Sequence, residues 1–208
     1  MAELKAAAET LKEINWGVSV FGSARIKPGT PYYALSEAMG ARLAKGGFTV
    51  IAGGGPGIME AANKGAYQAG GNSVGLNIQL PNESTNNQYQ THSLTFDYFY
   101  SRKATFFMHS AAYIALPGGF GTLDEVFEVL TLVQTNKLPP APIVLMGATH
   151  WAGLLDWMQD HLVTQGLIGP HDLDLLTVTD DPDEVMAHIE EFRNSYAQYL
   201  DYEPALPE

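Results

Sequence analysis

The apolar run Ala111-Ala112-Tyr113-Ile114-Ala115-Leu116 passes straight into Pro117-Gly118-Gly119-Phe120-Gly121-Thr122-Leu123-Asp124-Glu125, and a helical pattern continues to Val133. A buried strand thus meets a helix through a turn holding three glycines. Glycine lets the backbone come close to a ligand. The first turn of a helix offers unpaired N–H groups and the positive end of its dipole. Together they form a cradle for an anion such as phosphate. Glu125 lies just past the cradle, where a carboxylate faces whatever is bonded to the anion.

The same punctuation recurs along the chain. Residues 16–21, Trp-Gly-Val-Ser-Val-Phe, read as a buried first strand ending at Gly22-Ser23. Pro31 to Lys45 reads as a helix with Thr30 as N-cap, Pro31 at the first helical position and Gly46-Gly47 as the stop. Residues 48–52 form a second strand that runs into Gly53-Gly54-Gly55-Pro56-Gly57, followed by a helix over 58–68. A third strand covers 73–78, and the polar stretch 81–91 reads as a loop. A short strand at 94–98, a helix at 101–110, the strand 111–116 and a helix at 122–136 follow. The chain then continues through a strand at 143–146, a helix at 151–165 and a short strand at 175–178. The last helix starts at Asp181-Pro182-Asp183-Glu184, which has capping-box spacing. Residues 1–14 read as an N-terminal helix or arm and 201–208 as a frayed tail.

Near-continuous apolar strands joined by helices imply a parallel sheet covered on both faces. The expected architecture is a doubly wound, Rossmann-like α/β fold, forming a single nucleotide-binding domain over residues 1–208. In such sheets ligands bind beyond the carboxyl ends of the strands, where the strand order reverses. Gly22 and Ser23, the loop containing Gly54, Gly55 and Gly57, and the turn 118–122 all lie at such ends and are candidate substrate contacts.

Charge and composition exclude several classes. The formal net charge is -12, and residues 172–208 alone hold 11 acids against one base, Arg193. A chain this acidic is a poor partner for a nucleic-acid polymer, which needs many Lys or Arg. No apolar run approaches the roughly 18 residues of a membrane span. The N-terminus carries acid and lacks a leader-like apolar region. No membrane partner is expected, and the location expected is cytoplasmic. Cysteine is absent, which removes disulfides and thiolate chemistry. The six histidines lack metal-ligand spacing, so no metal site is expected. The dinucleotide fingerprint is missing after the first strand, and neither glycine loop carries the Lys-Ser or Lys-Thr of a Walker A loop. No G-x-S-x-G elbow occurs. Arg102 and Lys103 are the only two Lys or Arg residues between Lys64 and Lys137. Arginine can hold a phosphate or carboxylate bidentately, so this pair is a candidate to complete the anion site. The aromatic residues Phe96, Tyr98, Phe99, Tyr100, Phe106 and Phe107 read as core or subunit interface, with part of the cluster available to floor a base pocket.

Three segments together, Gly53-Gly54-Gly55-Pro56-Gly57-Ile58-Met59-Glu60-Ala61-Ala62, then Ser101-Arg102-Lys103, then residues 117–125, resemble the Lonely Guy family of cytokinin riboside 5'-monophosphate phosphoribohydrolases. This family was long mislabelled as lysine decarboxylases. The resemblance covers residues 16–195. It implies hydrolysis of the N-glycosidic bond of a nucleoside 5'-monophosphate, releasing a free base and ribose 5-phosphate, with no cofactor. It implies that Arg102 and Glu125 are the catalytic pair. It assigns Met59, Lys103, Gly118, Gly119, Phe120, Gly121, Thr122, Leu123 and Asp124 to substrate binding. Thr131 matches a downstream binding threonine, and Glu83, after Pro81, a binding glutamate. Members are homodimers, some assembling into hexamers. Glu60 and the aromatic Tyr98-Phe99-Tyr100 resemble the bacterial-type subgroup, which leaves AMP or another purine monophosphate as open a substrate as a cytokinin riboside monophosphate.

The chemistry expected of these parts is that of a glycosyl hydrolase. Breaking a ribosyl C1'–N bond gives an oxocarbenium-like transition state. A carboxylate at Glu125 stabilises that charge and activates water. Three roles are open to Arg102: holding the phosphate, orienting Glu125 or assisting the departing base. The competing class is a nucleotide-binding or sensing module without catalysis, but such a module has no use for a carboxylate beside a phosphate. No strand-end lysine marks a pyridoxal phosphate site, which speaks against decarboxylation.

Overall fold

Val18 and Val20 of strand β1 (Gly17–Phe21) join one buried cluster and Phe21 joins another, so the strand is covered on both faces. That two-sided burial follows from the alternation of side chains along a strand and recurs through the sheet. The structure, a computed structural model, describes residues 2–79 and 86–200, with 197–200 by backbone alone. Helix α1 (Ala2–Thr10) precedes β1, and helix α2 (Pro31–Lys45), strand β2 (Thr49–Ala52), helix α3 (Ile58–Gln68) and strand β3 (Ser73–Ile78) follow it. Next come β4 (His92–Phe96), α4 (Phe99–Met108), β5 (Ala112–Ala115), α5 (Phe120–Gln134) and β6 (Ile143–Leu145). The described chain closes with α6 (Ala148–Trp157), β7 (Leu176–Val178) and α7 (Pro182–Leu200).

All strand pairs are parallel, in the order β4-β3-β2-β1-β5-β6-β7. The order reverses at β1, which pairs with β2 on one side and β5 on the other. This is the doubly wound arrangement, and it puts the crevice at the carboxyl ends of β1 and its neighbours. One face buries Val18, Val20, Val50 and Val144 with Met39, Leu43, Ile58 and Val185, from α2, α3 and α7. The other buries Phe21, Ile51, Leu76 and Tyr113 with Phe106, Val129 and Trp151, from α4, α5 and α6.

Several elements depart from the boundaries the sequence suggests. The fourth strand is His92–Phe96 rather than 94–98. It is an edge strand whose exposed residues Ser93 and Thr95 are polar and whose first residue is His92, so its apolar signal starts late. Helix α5 begins at Phe120, not Thr122, because Gly119 already serves as N-cap and Gly121 sits inside the first turn. Thr30 holds the N-cap position of α2 with extended dihedrals, yet its hydroxyl donates to Lys27 O at 2.7 Å instead of capping. At α7 the Asp181 carboxylate accepts from Asp183 N–H at 2.8 Å, while Glu184 turns to the Thr179 hydroxyl rather than closing a capping box. Past α6 the helix widens over Met158–Val163, where Thr164 N–H reaches back five residues to Gln159 O.

The N-terminal arm has a structural task. Ala7 and Leu11 are buried in the core. The Glu3 carboxylate accepts from Asp97 N–H at 2.6 Å and from the Ser101 hydroxyl. It thereby pins the arm to the start of α4, whose N-cap residue Tyr98 makes no side-chain cap.

Candidate functional site

Ser23 ties three loops together. Its N–H donates to Pro117 O at 3.1 Å, and its carbonyl accepts from Ile58 N–H at 3.0 Å. The end of β1 is therefore joined to the turn after β5 and to the first turn of α3. Gly57 closes the second joint at φ +71, and a Cβ there would overlap Ser23 O. Both α3 and α5 start on a glycine N-cap without a side-chain cap, at Gly57 and Gly119. With Ile58 N–H already taken by Ser23 O, the remaining first-turn N–H groups of the two helices are left for a ligand or water.

A cavity of about 680 Å³ opens at these strand ends. Of the residues singled out in the sequence, Gly22, Ser23, Gly55, Met59, Arg102, Gly119, Phe120, Gly121, Thr122, Leu123 and Glu125 line it. Others are placed elsewhere. Gly54 points its carbonyl away from the cavity, and Gly57 and Gly118 act as close-packed backbone behind the loops. Lys103 pairs with Asp124 at 3.0 Å and with Glu128, lacing α4 to α5. Asp124 and Thr131 border a shallow groove on the outer side of α5, with Phe127 and Glu128. Glu83 lies outside the described residues. Glu60 faces α2, where it accepts from Tyr33 O–H at 2.7 Å.

Arg102 and Glu125 meet in the cavity wall. Arg102 comes from α4 and Glu125 from the second turn of α5, with Nη1 and Oε1 3.8 Å apart and side-chain exposures of 8% and 14%. Arg102 Nε donates to Leu76 O at 2.6 Å and Nη2 to Gly53 O at 3.4 Å, and its guanidinium lies 5.3 Å from the Phe106 ring centre. The ends of β2 and β3 thus grip the arginine. Gly53 has no room for a side chain, since a Cβ there would overlap Arg102 Nη2 and Met59 Sδ. Burial pushes the Glu125 carboxyl up to about 7, against the opposing pull of Arg102, with the nearby acids Asp124 and Glu128 adding to the rise. Burial also lowers Arg102, and Glu125 counteracts it. A carboxyl titrating near neutrality can both accept and return a proton.

Phe99, from the aromatic cluster, also lines the cavity. Other neighbours went unread in the sequence: Asn77, Ile78, Asn86 and Arg25 line the cavity as well. Behind it, Asn87 holds the glycine loop. Its Nδ2 donates to Gly54 O at 3.0 Å, Gly55 O at 3.2 Å and Asn63 Oδ1 at 3.0 Å, and its N–H donates to Gly54 O at 2.8 Å. Gln90 Nε2 adds a further bond to Gly54 O at 3.0 Å. A trans peptide points its N–H opposite its carbonyl. Fixing Gly54 O behind the loop therefore turns Gly55 N–H towards the cavity. Gly54 itself sits at φ +75, with Asn77 Oδ1 where a Cβ would be. Among the described residues there is no group of acids and histidines arranged to hold a metal ion, and no helix is long and apolar enough to cross a membrane.

Comparison with known proteins gives a consistent relationship. A family described as "Possible lysine decarboxylase" matches residues 59–189. The cytokinin riboside 5'-monophosphate phosphoribohydrolase of Rhodococcoides fascians is 31% identical over 158 residues, covering 74% of this chain and 78% of that protein. The Arabidopsis thaliana enzyme of the same name, LOG3, is 29% identical over 145 residues, covering 69% of this chain. The chain spans 66% of that relative's length, just under two thirds. Among solved structures, the molybdenum cofactor carrier protein of Chlamydomonas reinhardtii superposes with a TM-score of 0.64 at 20% identity, covering 86% of this chain and 99% of that one. At that identity the likeness concerns the fold alone.

Proposed function

Because the chain belongs to the Lonely Guy family, the family that carries the description "Possible lysine decarboxylase", we propose that it hydrolyses the N-glycosidic bond of a nucleoside 5'-monophosphate. Water and the nucleotide give free base and ribose 5-phosphate. The observation that carries this reading is Glu125, a carboxyl lifted to about 7 beside Arg102, in a cavity lined by two uncapped helix starts.

The 5'-phosphate sits against the N–H groups of the α3 and α5 starts, where the helix dipoles favour an anion. Ribose then lies between those loops and Glu125. As the C1'–N bond breaks, its electron pair leaves with the base and positive charge grows on C1' and the ring oxygen. Ionised Glu125 stabilises that charge and takes a proton from the attacking water, whose oxygen bonds to C1'. The departing base takes a proton from solvent, and Glu125 returns the proton it accepted to solvent, which restores the carboxylate. Arg102 is held by Leu76 O and Gly53 O and lies within ion-pair range of Glu125. Its part is to orient the carboxylate and keep a share of it ionised. Lys103 and Asp124 brace α4 against α5, supporting the pair at one remove.

The decarboxylase description gains no support from the cavity, since no lysine lines it. The exposed Tyr98, Phe99, Tyr100, Met108 and Phe120 sit on or just before α4 and at the start of α5, and they support a working homodimer. The test is to incubate purified protein with AMP and with isopentenyladenosine monophosphate, following free base by chromatography beside Glu125→Gln. Base release by the wild type alone is expected, and the ratio of the two rates gives the base preference. Release by neither protein, with tight AMP binding by calorimetry, would instead favour a binding module.

A further inference from the structure

We propose that Arg25 is the cation that holds the 5'-phosphate, an inference that rests on the nucleotide reading of the cavity but not on its being a hydrolase. Three basic side chains stand in or next to the site: Arg25, Arg102 and Lys103. Arg102 is buried, and its Nε and Nη2 are taken by the carbonyls of Leu76 and Gly53 while Nη1 faces Glu125. Turning it to a phosphate would leave Leu76 O buried without a partner and cost about 1–3 kcal/mol. Lys103 is engaged by Asp124 and Glu128 and does not line the cavity. Arg25 lines the cavity, is exposed, and has no acidic partner among the described residues.

Arg25 is also aimed from a defined place. Its N–H donates to Ser23 Oγ at 3.1 Å, which orders the turn after β1. The adjoining Ala24 backbone packs against Gly57, the N-cap of α3. The guanidinium is therefore rooted beside one of the two helix starts that present N–H groups to the cavity. A planar fork with two parallel donors suits a terminal phosphate, which has three acceptor oxygens and up to two charges. Glu125, which enters the same cavity from α5, is matched to the neutral or cationic ribosyl end instead. The polarity of the cavity thus orients the nucleotide.

The experiment is calorimetric titration of ribose 5-phosphate, AMP and adenosine into wild type, Arg25→Ala and Arg25→Lys, with base release from AMP measured in parallel. The Arg25 side chain makes no hydrogen bond or ion pair among the described residues, so thermal unfolding is expected to be unchanged. Loss of a charge-assisted phosphate contact predicts about 10-fold or greater weakening for ribose 5-phosphate and AMP in Arg25→Ala. Arg25→Lys is expected to be intermediate, and adenosine to shift by less than about twofold. A matching rise in KM for AMP is expected where base release occurs. Equal affinity of wild type and Arg25→Ala for ribose 5-phosphate overturns the inference, as does an equal loss for adenosine. If wild type releases base while Arg25→Ala binds ribose 5-phosphate normally, this inference falls and the hydrolase reading stands. If wild type releases no base yet ribose 5-phosphate affinity depends on Arg25, the reverse holds.

Discussion

Arg102 Nη1 stands 3.8 Å from Glu125 Oε1, close enough for charge attraction but too far for a direct hydrogen bond. The arginine's short bond goes instead to Leu76 O, at 2.6 Å. The carboxylate is therefore stabilised without being fully neutralised, which leaves its oxygens available to water and to a developing cation. Glu125→Gln keeps the shape of the site and removes the proton acceptor. It is expected to bind AMP within a few-fold of wild type and to lose at least about two decades in kcat. Wild-type turnover by this variant would sink the assignment.

Glu125 also predicts a pH profile. The mechanism needs the ionised carboxylate, so kcat/KM should rise from pH 5 and level off above the carboxyl's value of about 7. The rising limb reports the free enzyme, and a profile flat across that window would remove Glu125 from the role of base.

Stability should run the other way. The folded carboxyl lies above its ordinary 4.5, at about 7, so the fold binds a proton more tightly than the unfolded chain does. Its contribution is present in full below about pH 4.5 and is lost as pH rises through about 7. A rise of that size corresponds to a change on the order of 3 kcal/mol. Glu125→Gln does not titrate there. In urea melts at pH 5 and pH 8, the stability difference should move in favour of the variant at the higher pH. A constant difference would mean that Glu125 ionises normally.

Gly53 tests whether Arg102 must stay where it is. In Gly53→Ala the new methyl overlaps Arg102 Nη2 and Met59 Sδ. The arginine must shift, its backbone contacts weaken, and Glu125 loses its partner. A loss of about 1–3 kcal/mol in stability with a 100-fold or greater fall in kcat is expected, read by thermal melts and base release. Unchanged kinetics would show that the arginine's position is not critical.

Asn87 tests the glycine loop from behind. Asn87→Asp keeps the shape but replaces a donor with a charge facing Gly54 O, Gly55 O and Asn63 Oδ1. Destabilisation of about 2 kcal/mol or more is expected, together with weaker ribose 5-phosphate binding because Gly55 N–H is no longer aimed. Asn87→Ala leaves Gly54 O to Gln90 and the Asn87 backbone and should be milder. The reverse ranking would contradict the peptide-orienting role.

Much of this site could be read directly because glycine clusters at the ends of apolar runs have few other uses. The doubly wound parallel sheet, the crevice and the Arg102–Glu125 pairing follow from that pattern together with the family likeness. Residues beside a motif were harder to judge. Asp124 adjoins Glu125 in sequence, but successive helical residues project about 100° apart, so Glu125 faces the cavity while Asp124 turns out to Lys103. Asn77, Asn87 and Gln90 carried no signal. Asn87 and Gln90 lie in a polar stretch and bond the Gly54 carbonyl more than thirty residues away, while Asn77 binds Leu94 O and Gln90 from the end of β3; no local pattern reveals either. Arg25 sat in a turn notable in the sequence only for lacking a dinucleotide fingerprint.

The reversal of strand order at β1 has a consequence for assembly. Arg102 comes from the part of the chain that builds β1 to β4, and Glu125 from the part that adds β5 to β7. During synthesis β1 has one edge unpaired until Ala112–Ala115 arrives more than ninety residues later. Neither portion alone can bring Arg102 and Glu125 together. A nucleotide that touches the loops after β1, β2 and β5 at once binds only the joined sheet, and so acts by mass action as a clasp across its seam.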